Sequence, residues 1–340
     1  MSEAPVPRWK PLLALVVLSP FFAEYMTGST PVTLLLNPLS FVISAAFLAG
    51  LYGAGVLLVR ELAVRWNKGW AAILLLGTAY GILEEGVAVH TFFATGGTTV
   101  GVFTTYGHFL GTNWVWAVGL AGFHGAVSIA LPILLVGLWW PEWRQLRLLE
   151  GRRLPLTAAI YAGTVALFAL ITPYAPSAAG YAASLLVVAA LIGLSRVLPR
   201  DLMLTAPGTA PPGPWVLFGL GAAFLPAWLV LGGIGANGHW PAAVTVLCVL
   251  LFAELPVLLG YRYVGRWEHP AAMLAFAAGS VGFLMVWAVL RDLVAPIPGI
   301  AVLALLAYLL LRHVRASVRL HVATAEAERF GSLAPHGVVA

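Results

Sequence analysis

Charged residues and cysteines are scarce in this chain of 340 residues. Asp, Glu, Lys and Arg together make up 9% of it, against roughly 25% in ordinary soluble domains, and this shortage excludes a soluble globule. The one cysteine, Cys248, excludes an intrachain disulfide framework and a cysteine-based metal site within one chain. No Gly-x-x-x-x-Gly-Lys segment occurs, which excludes a P-loop nucleotide site.

Apolar residues are abundant instead, at 61% of the chain. They gather in runs that are long enough to cross a bilayer, which takes roughly 20 mostly apolar residues. We therefore predict an all-α, polytopic transmembrane bundle of about ten spans. The predicted spans are 11–28, 40–64, 69–92, 112–140, 155–174, 178–197, 214–234, 241–263, 270–290 and 294–312. Segment 28–38 is too short to span and is either an outer loop or a re-entrant segment.

The basic residues predict how these spans are oriented. Of the 18 Lys and Arg residues, all but Arg291 precede the first predicted span, fall around alternate connections or follow the last span. We predict that the chain spans the inner membrane of the cell. The positive-inside rule then places both of its termini in the cytoplasm. The same placement explains the excess of basic charge without a nucleic-acid partner. We predict an N-terminal bundle (1–150), a C-terminal six-span bundle (151–313) and a cytoplasmic tail (314–340).

The third predicted span contains two adjacent carboxylates, Glu84 and Glu85. A charged side chain at bilayer depth costs on the order of 2.5–3.5 kcal/mol, so the pair either has a function or forms a buried polar network that joins helices. Gly77 and Gly81 precede Glu85 at intervals of four residues, which predicts one helix face packed closely against a neighbouring helix. Tyr80 precedes Glu84 by the same interval, and its hydroxyl is expected to hydrogen-bond that carboxylate.

Further polar groups are predicted at similar depth. His124 lies near the middle of the fourth predicted span, and Ser128 follows four residues later. His124 either faces the glutamate pair or is a core histidine bonded to a carbonyl group. We expect Glu24, Glu254 and the rim residue His90 to share one outward-opening cavity with them, built from spans one, three, four and eight. Glu254 is either a proton site or a structural partner.

Two carboxylates and an imidazole in a poorly hydrated site suit several functions. Two close carboxylates cannot easily both ionise, so one can act as an acid and the other as a base. A glutamate can take a proton from water while a histidine stabilises the resulting oxyanion, as hydrolysis requires. Glu84, Glu85 and His124 are also ligand types that suit zinc. With Glu254, the same groups would serve as the proton relay of a coupled transporter.

Residues 80–130 resemble the CPBP family of intramembrane endopeptidases, the CAAX-prenyl protease and bacteriocin-processing group. The family pattern is Glu-Glu-x-x-x-Arg followed by later spans that carry histidines, and Val89 stands here at the arginine position. The resemblance implies that Glu84 activates water, that Glu85 is its partner and that His124 is a catalytic histidine.

The leading hypothesis is an intramembrane hydrolase that acts on a membrane peptide or a small molecule. A proton-coupled transporter is the alternative, and a non-catalytic membrane subunit is the third. The lipid bilayer is the one partner that the sequence predicts. The sequence favours no particular oligomeric state.

Overall fold

A computed structural model describes residues 7–31, 34, 37–95, 101–173 and 176–291, together with 300, 304, 305, 308 and 312. The described residues are mostly helical, and their one sheet pairs two short antiparallel strands. The helices are α1 (residues 9–25), α2 (Pro38–Arg65), α3 (Trp70–Ala88), α4 (Trp114–Trp139), α5 (Arg153–Ile171), α6 (Ala178–Val197), α7 (Pro214–Ala222), α8 (Phe224–Asn237), α9 (Ala242–Val264) and α10 (Pro270–Arg291). The strands are β1 (His108–Phe109) and β2 (Thr112–Asn113), and short 3₁₀ turns cover Thr91–Phe93, Gly101–Thr104 and Pro141–Trp143.

Within the described ranges, seven helices are long and apolar enough to cross a membrane. Helices α7 and α8 meet at a bend of 47° and would together make an eighth. The prediction of a helical bundle with many membrane-length apolar helices is therefore confirmed. The predicted tenth span (294–312), apart from a few residues, and the predicted tail (314–340) lie outside the described residues.

Two predicted boundaries need comment. Helix α3 ends at Ala88, before the predicted limit of 92, because the backbone of His90 adopts a left-handed conformation (φ 59°) that a right-handed helix cannot contain. Segment 28–38 is described only in part. Within it, the Asn37 side chain accepts hydrogen bonds of 3.1 Å from the amides of Leu39 and Ser40 and caps the start of α2.

Most of the basic residues lie in four connections or in the helix ends beside them, and these connections meet at one end of the bundle, which we call the basic end. These are the α2–α3, α4–α5, α6–α7 and α9–α10 connections. Lys68 donates to the carbonyl of Leu198 at 2.8 Å, and the indole of Trp70 donates to that of Gly265 at 3.0 Å. Lys68 thus binds a free carbonyl group just beyond the end of α6, where a cation is favoured.

A buried carboxylate, Glu61, organises this end. Its Oε2 accepts the amides of Leu148 and Leu149 at 2.9 and 3.2 Å, and its Oε1 accepts Arg65 Nε at 2.9 Å. Arg60 Nη1 lies 3.5 Å from the same group. Because Glu61 is fully shielded from solvent, these contacts fix the α4–α5 connection against α2.

Helices α3 and α4 pack at very short range in the middle of the bundle. A Cβ atom added at Gly77 would lie 2.9 Å from the α-carbon of Gly125, and one added at Gly81 would lie 2.8 Å from the Cβ of His124. Side chains at these two positions would push the helices apart. The close approach predicted from the spacing of Gly77 and Gly81 is therefore confirmed.

One continuous apolar core joins the two predicted bundles. Across the predicted boundary at residue 150, the Tyr261 hydroxyl donates to the carbonyl of Ala126 at 3.1 Å. The indole of Trp228 donates to the carbonyl of Val115 at 3.3 Å. Helix α4 is therefore held by both halves of the chain.

Replacing Glu61 with alanine should destabilise the purified protein markedly. The change leaves two arginines and two amides without their buried acceptor, and removal of one partner from a buried pair costs about 3–5 kcal/mol. Thermal unfolding in detergent, followed by tryptophan fluorescence, measures the effect. Glu150→Ala is the matched control, since Glu150 pairs with Arg8 at 2.7 Å but its side chain is 57% exposed. Equal loss of Tm in the two variants would contradict the role assigned to Glu61.

Candidate functional site

The imidazole of His124 lies between the two glutamates of α3. Its Nε2 lies 3.1 Å from Glu85 Oε1, and its Nδ1 lies 3.4 Å from Glu84 Oε2 and 3.0 Å from Ser128 Oγ. All four side chains are buried. The predicted pairing of His124 with the glutamates, and its contact with Ser128, is what the structure contains.

The helices are π-helical wherever they carry these polar groups. A π turn contains about one more residue than an α turn and is frequent at functional sites. In a regular α-helix, adjacent side chains point about 100° apart, yet Glu84 and Glu85 reach two nitrogens of one ring. The wider turn changes the direction of each side chain and allows this. The π-helical segments are Phe21–Tyr25, Ala49–Gly53, Leu83–Ala88, His124–Ala130 and Leu250–Glu254.

Glu85 is held on both of its oxygens. Besides the contact with His124, its Oε2 accepts a hydrogen bond from the Thr91 hydroxyl, which in turn accepts one of 3.0 Å from the indole of Trp116. This chain fixes the orientation of Glu85 and therefore that of the ring. Thr91 is a residue of this cluster that the sequence analysis missed; it was counted only as part of the third predicted span, whereas it lies beyond the end of α3.

Glu84 is less constrained than Glu85. Among the described residues, its buried Oε2 has no hydrogen-bond partner, although His124 Nδ1 is 3.4 Å away. The Tyr80 hydroxyl, which was predicted to bond Glu84, is buried and interacts with that carboxylate, but it forms no hydrogen bond of ordinary geometry in this part of the chain. Instead, the Tyr80 ring packs edge-on against His124, with centroids 6.0 Å apart. Glu84 therefore has one carboxylate oxygen whose hydrogen-bonding capacity the described residues leave unused.

Glu24 lies beside this cluster, as predicted, and is bound by two hydroxyl groups. Tyr52 donates to its Oε1 at 2.6 Å and Thr30 to its Oε2 at 2.7 Å. The Tyr52 ring also lies 6.0 Å from the ring of His124, which links the two groups. Tyr52 was missed in the sequence analysis, although it is a lone polar aromatic residue between Gly50 and Gly53 in an apolar span.

These groups face one cavity of about 830 Å³. The ionisable part of the wall consists of Glu24, Tyr52, Glu84, Glu85 and His124, which α1 to α4 supply, and hydroxyl side chains such as Thr30 and Thr91 adjoin it. The remaining wall is largely apolar and includes Phe47, Leu51, Trp116, Leu120, Phe123, Leu225 and Trp228. The site is thus a small acidic and imidazole cluster on the wall of an apolar chamber.

Glu254 lies outside this chamber. It lines a second cavity, of about 1010 Å³, that shares no lining residue with the first. The two cavities use different faces of α3 and α4. The prediction of a single cavity built from spans one, three, four and eight is therefore wrong for Glu254. The depth of a residue in its helix does not show which side of α4 that residue faces.

His90 differs from its predicted position at the rim. It is fully buried, and its Nε2 lies 2.6 Å from the Tyr181 hydroxyl of α6 and 2.8 Å from the carbonyl of Val87. The left-handed turn at this residue directs the ring back into the bundle. His90 therefore closes the end of α3 against α6.

Glu84, Glu85 and His124 also fit a metal ion. One ligand atom from each of them lies within 4.8 Å of the others. Two carboxylates and one imidazole leave an open position on a tetrahedral zinc ion, as in catalytic zinc sites. The donor set and its convergence thus suit a zinc ion, for which the sequence analysis named these three residues as candidate ligands.

No family model, curated protein or solved structure matches this chain. The functional proposal therefore rests on the geometry of the site.

Proposed function

We propose that this protein is an intramembrane hydrolase with about ten spans and both termini in the cytoplasm. The membrane-length apolar helices support the insertion. The basic end supports the orientation, since connections rich in Lys and Arg remain on the cytoplasmic side of the inner membrane.

One observation carries the catalytic part of the proposal. Two buried carboxylates contact the same imidazole, and this group of three faces a chamber of about 830 Å³ with largely apolar walls. In a polar network that only stabilises the fold, every acceptor would have a hydrogen-bond partner. Oε2 of Glu84 has none in the described part of the chain. An acceptor without a hydrogen bond, beside an imidazole and on a residue that lines the chamber, is what water activation needs.

Glu84 is the general base in this proposal. Its carboxylate takes a proton from a water molecule, whose oxygen attacks the carbonyl carbon of an amide or ester bond. The proton then passes from Glu84 to the leaving nitrogen or oxygen as its bond to carbon breaks, which regenerates the carboxylate. The apolar walls exclude bulk water and strengthen each electrostatic contact in the chamber.

Glu85 and His124 support this step. Glu85, fixed by Thr91, orients the imidazole through Nε2, and the imidazole balances the negative charge of the carboxylates. The N–H at Nδ1, between Glu84 and Ser128, is the donor that can turn to the oxyanion. This assignment agrees with the roles that the resemblance to the CPBP family implies.

The chamber also indicates the class of substrate. Its largely apolar and aromatic walls favour an apolar peptide segment or an apolar small molecule. The transporter alternative has less support, because a relay from Glu84 to Glu254 would have to cross from one cavity to another with which it shares no lining residue.

A zinc-dependent form of the same hydrolysis is a second candidate. The convergence of three ligand atoms within 4.8 Å favours it. Glu84, Glu85 and His124 would hold the ion, which would supply Lewis-acid activation of water and of the substrate carbonyl.

Glu84→Gln should abolish hydrolysis while leaving the fold intact. The amide cannot accept the proton from water, and loss of a general base typically costs about 10²–10⁴-fold in kcat. Cleavage of internally quenched apolar peptides by the full chain in detergent micelles measures the effect. Glu142→Gln, a change at the basic end, is the matched control and should cleave at the wild-type rate. Equal rates in both variants, or no cleavage by the wild type, would contradict the proposal.

Metal content tests the zinc-dependent form without using activity. We expect about one zinc ion per chain after incubation with zinc and gel filtration, since Glu, Glu and His are a sufficient set of protein ligands. His124→Ala should lose it, whereas Glu254→Gln, in the other cavity, should keep it. Elemental analysis of the purified proteins gives the ratio. Equal zinc content in the wild type and His124→Ala would reject the zinc-dependent form and leave the direct mechanism.

A further inference from the structure

Glu254 is an isolated carboxyl group in the middle of a membrane-length apolar helix. It lies at the end of the π-helical segment Leu250–Glu254 of α9. Its Oε1 is shielded from solvent and has no hydrogen-bond partner in the described ranges. Ionisable residues at this depth are normally paired with each other or with backbone carbonyls. Local packing therefore does not explain why this acceptor has no partner.

The cavity beside Glu254 offers space for a ligand. It has a volume of about 1010 Å³ and lies between α3, α4, α6 and α9. Glu254 is the one ionisable side chain among its lining residues. The wall is otherwise apolar, aromatic or hydroxylic, and it includes Leu75, Phe92, Phe93, Trp114 and Leu191. The cavity thus combines one half-buried acidic group, whose Oε1 is shielded from solvent, with a large apolar surface.

Helix α4 is shaped to receive this carboxyl group. A Cβ atom added at Gly122 would overlap the carboxylate of Glu254. Only a glycine leaves this space, so the carboxylate lies in a notch of α4 at the wall of the cavity. The notch faces away from His124, whose ring lines the other cavity.

We propose that this cavity binds a lipophilic monovalent cation, with Glu254 as its counter-charge. An organic cation loses most of its hydration on entering the cavity, and a buried carboxylate without another partner can replace that hydration. Drug-sized ligands occupy clefts of about 300–1,000 Å³ with apolar walls and few polar groups, as here. Aromatic walls add favourable contacts with a cation. A bare divalent ion is a poor match, because Ca²⁺ takes 6–8 oxygen ligands.

The site is independent of the proposed hydrolase. No lining residue is shared between the cavity of Glu254 and that of Glu84. Loss of one activity therefore leaves the other testable in the same preparation.

Radiolabelled tetraphenylphosphonium is a suitable probe, with tetraphenylborate as a control of the same shape and opposite charge. The full chain in lipid nanodiscs should bind the phosphonium saturably, near one per chain, and should not bind the borate at the same concentrations. Glu254→Gln should weaken binding at least about tenfold, since it removes the buried partner charge. Glu84→Gln, the matched change in the other cavity, should bind as the wild type does.

Ala183→Trp keeps the test decisive if Glu254→Gln fails to fold. Ala183 lines the cavity on the exposed side of α6, so a larger side chain there takes up cavity space while Glu254 is kept. We expect weaker phosphonium binding at unchanged Tm. The proposal is overturned if Glu254→Gln or Ala183→Trp folds and binds with wild-type affinity. Tight binding of the borate, or loss of phosphonium binding in Glu84→Gln, would overturn it as well.

Discussion

The contact between one imidazole and two carboxylates is the constraint on which the centre of this molecule depends. His124 meets Glu85 at 3.1 Å and Glu84 at 3.4 Å in surroundings without bulk water. Isolated ionised groups are very costly there, and contact between groups that can carry opposite charges reduces that cost. Helices α3 and α4 must therefore stay close and in one register, and Gly77 and Gly81 make that distance possible.

The basic end supplies the rigidity that this register needs. Helix α4 ends near the connection that Glu61 fixes to α2, and α3 begins at Trp70, whose indole is bound to the α9–α10 connection. The polar contacts at this end hold the helix ends, while the polar contacts in the middle select which faces meet. Apolar packing between them is adaptable by comparison, since apolar contacts carry little directional information.

Helices α3 and α4 line both cavities, each with a different face. The faces of α3 and α4 that carry Glu84 and His124 look toward α1, α2 and α8, whereas the opposite faces look toward α6 and Glu254 of α9. In each case the carboxyl group lies in or directly beside a π-helical segment. A local change in helix pitch thus places polar groups where a regular helix would direct them elsewhere.

The sequence by itself determined the helical, apolar architecture, the clustering of basic connections and the adjacency of Glu84 and Glu85. These features follow from composition and from local spacing, which the chain carries whatever its tertiary packing. Only the tertiary structure decided that Thr91 fixes Glu85 and that Glu254 opens into a second cavity. The first contact depends on the left-handed turn at His90, and the second feature joins residues from different helices. In addition, a π turn breaks the 3.6-residue period from which helix faces are predicted.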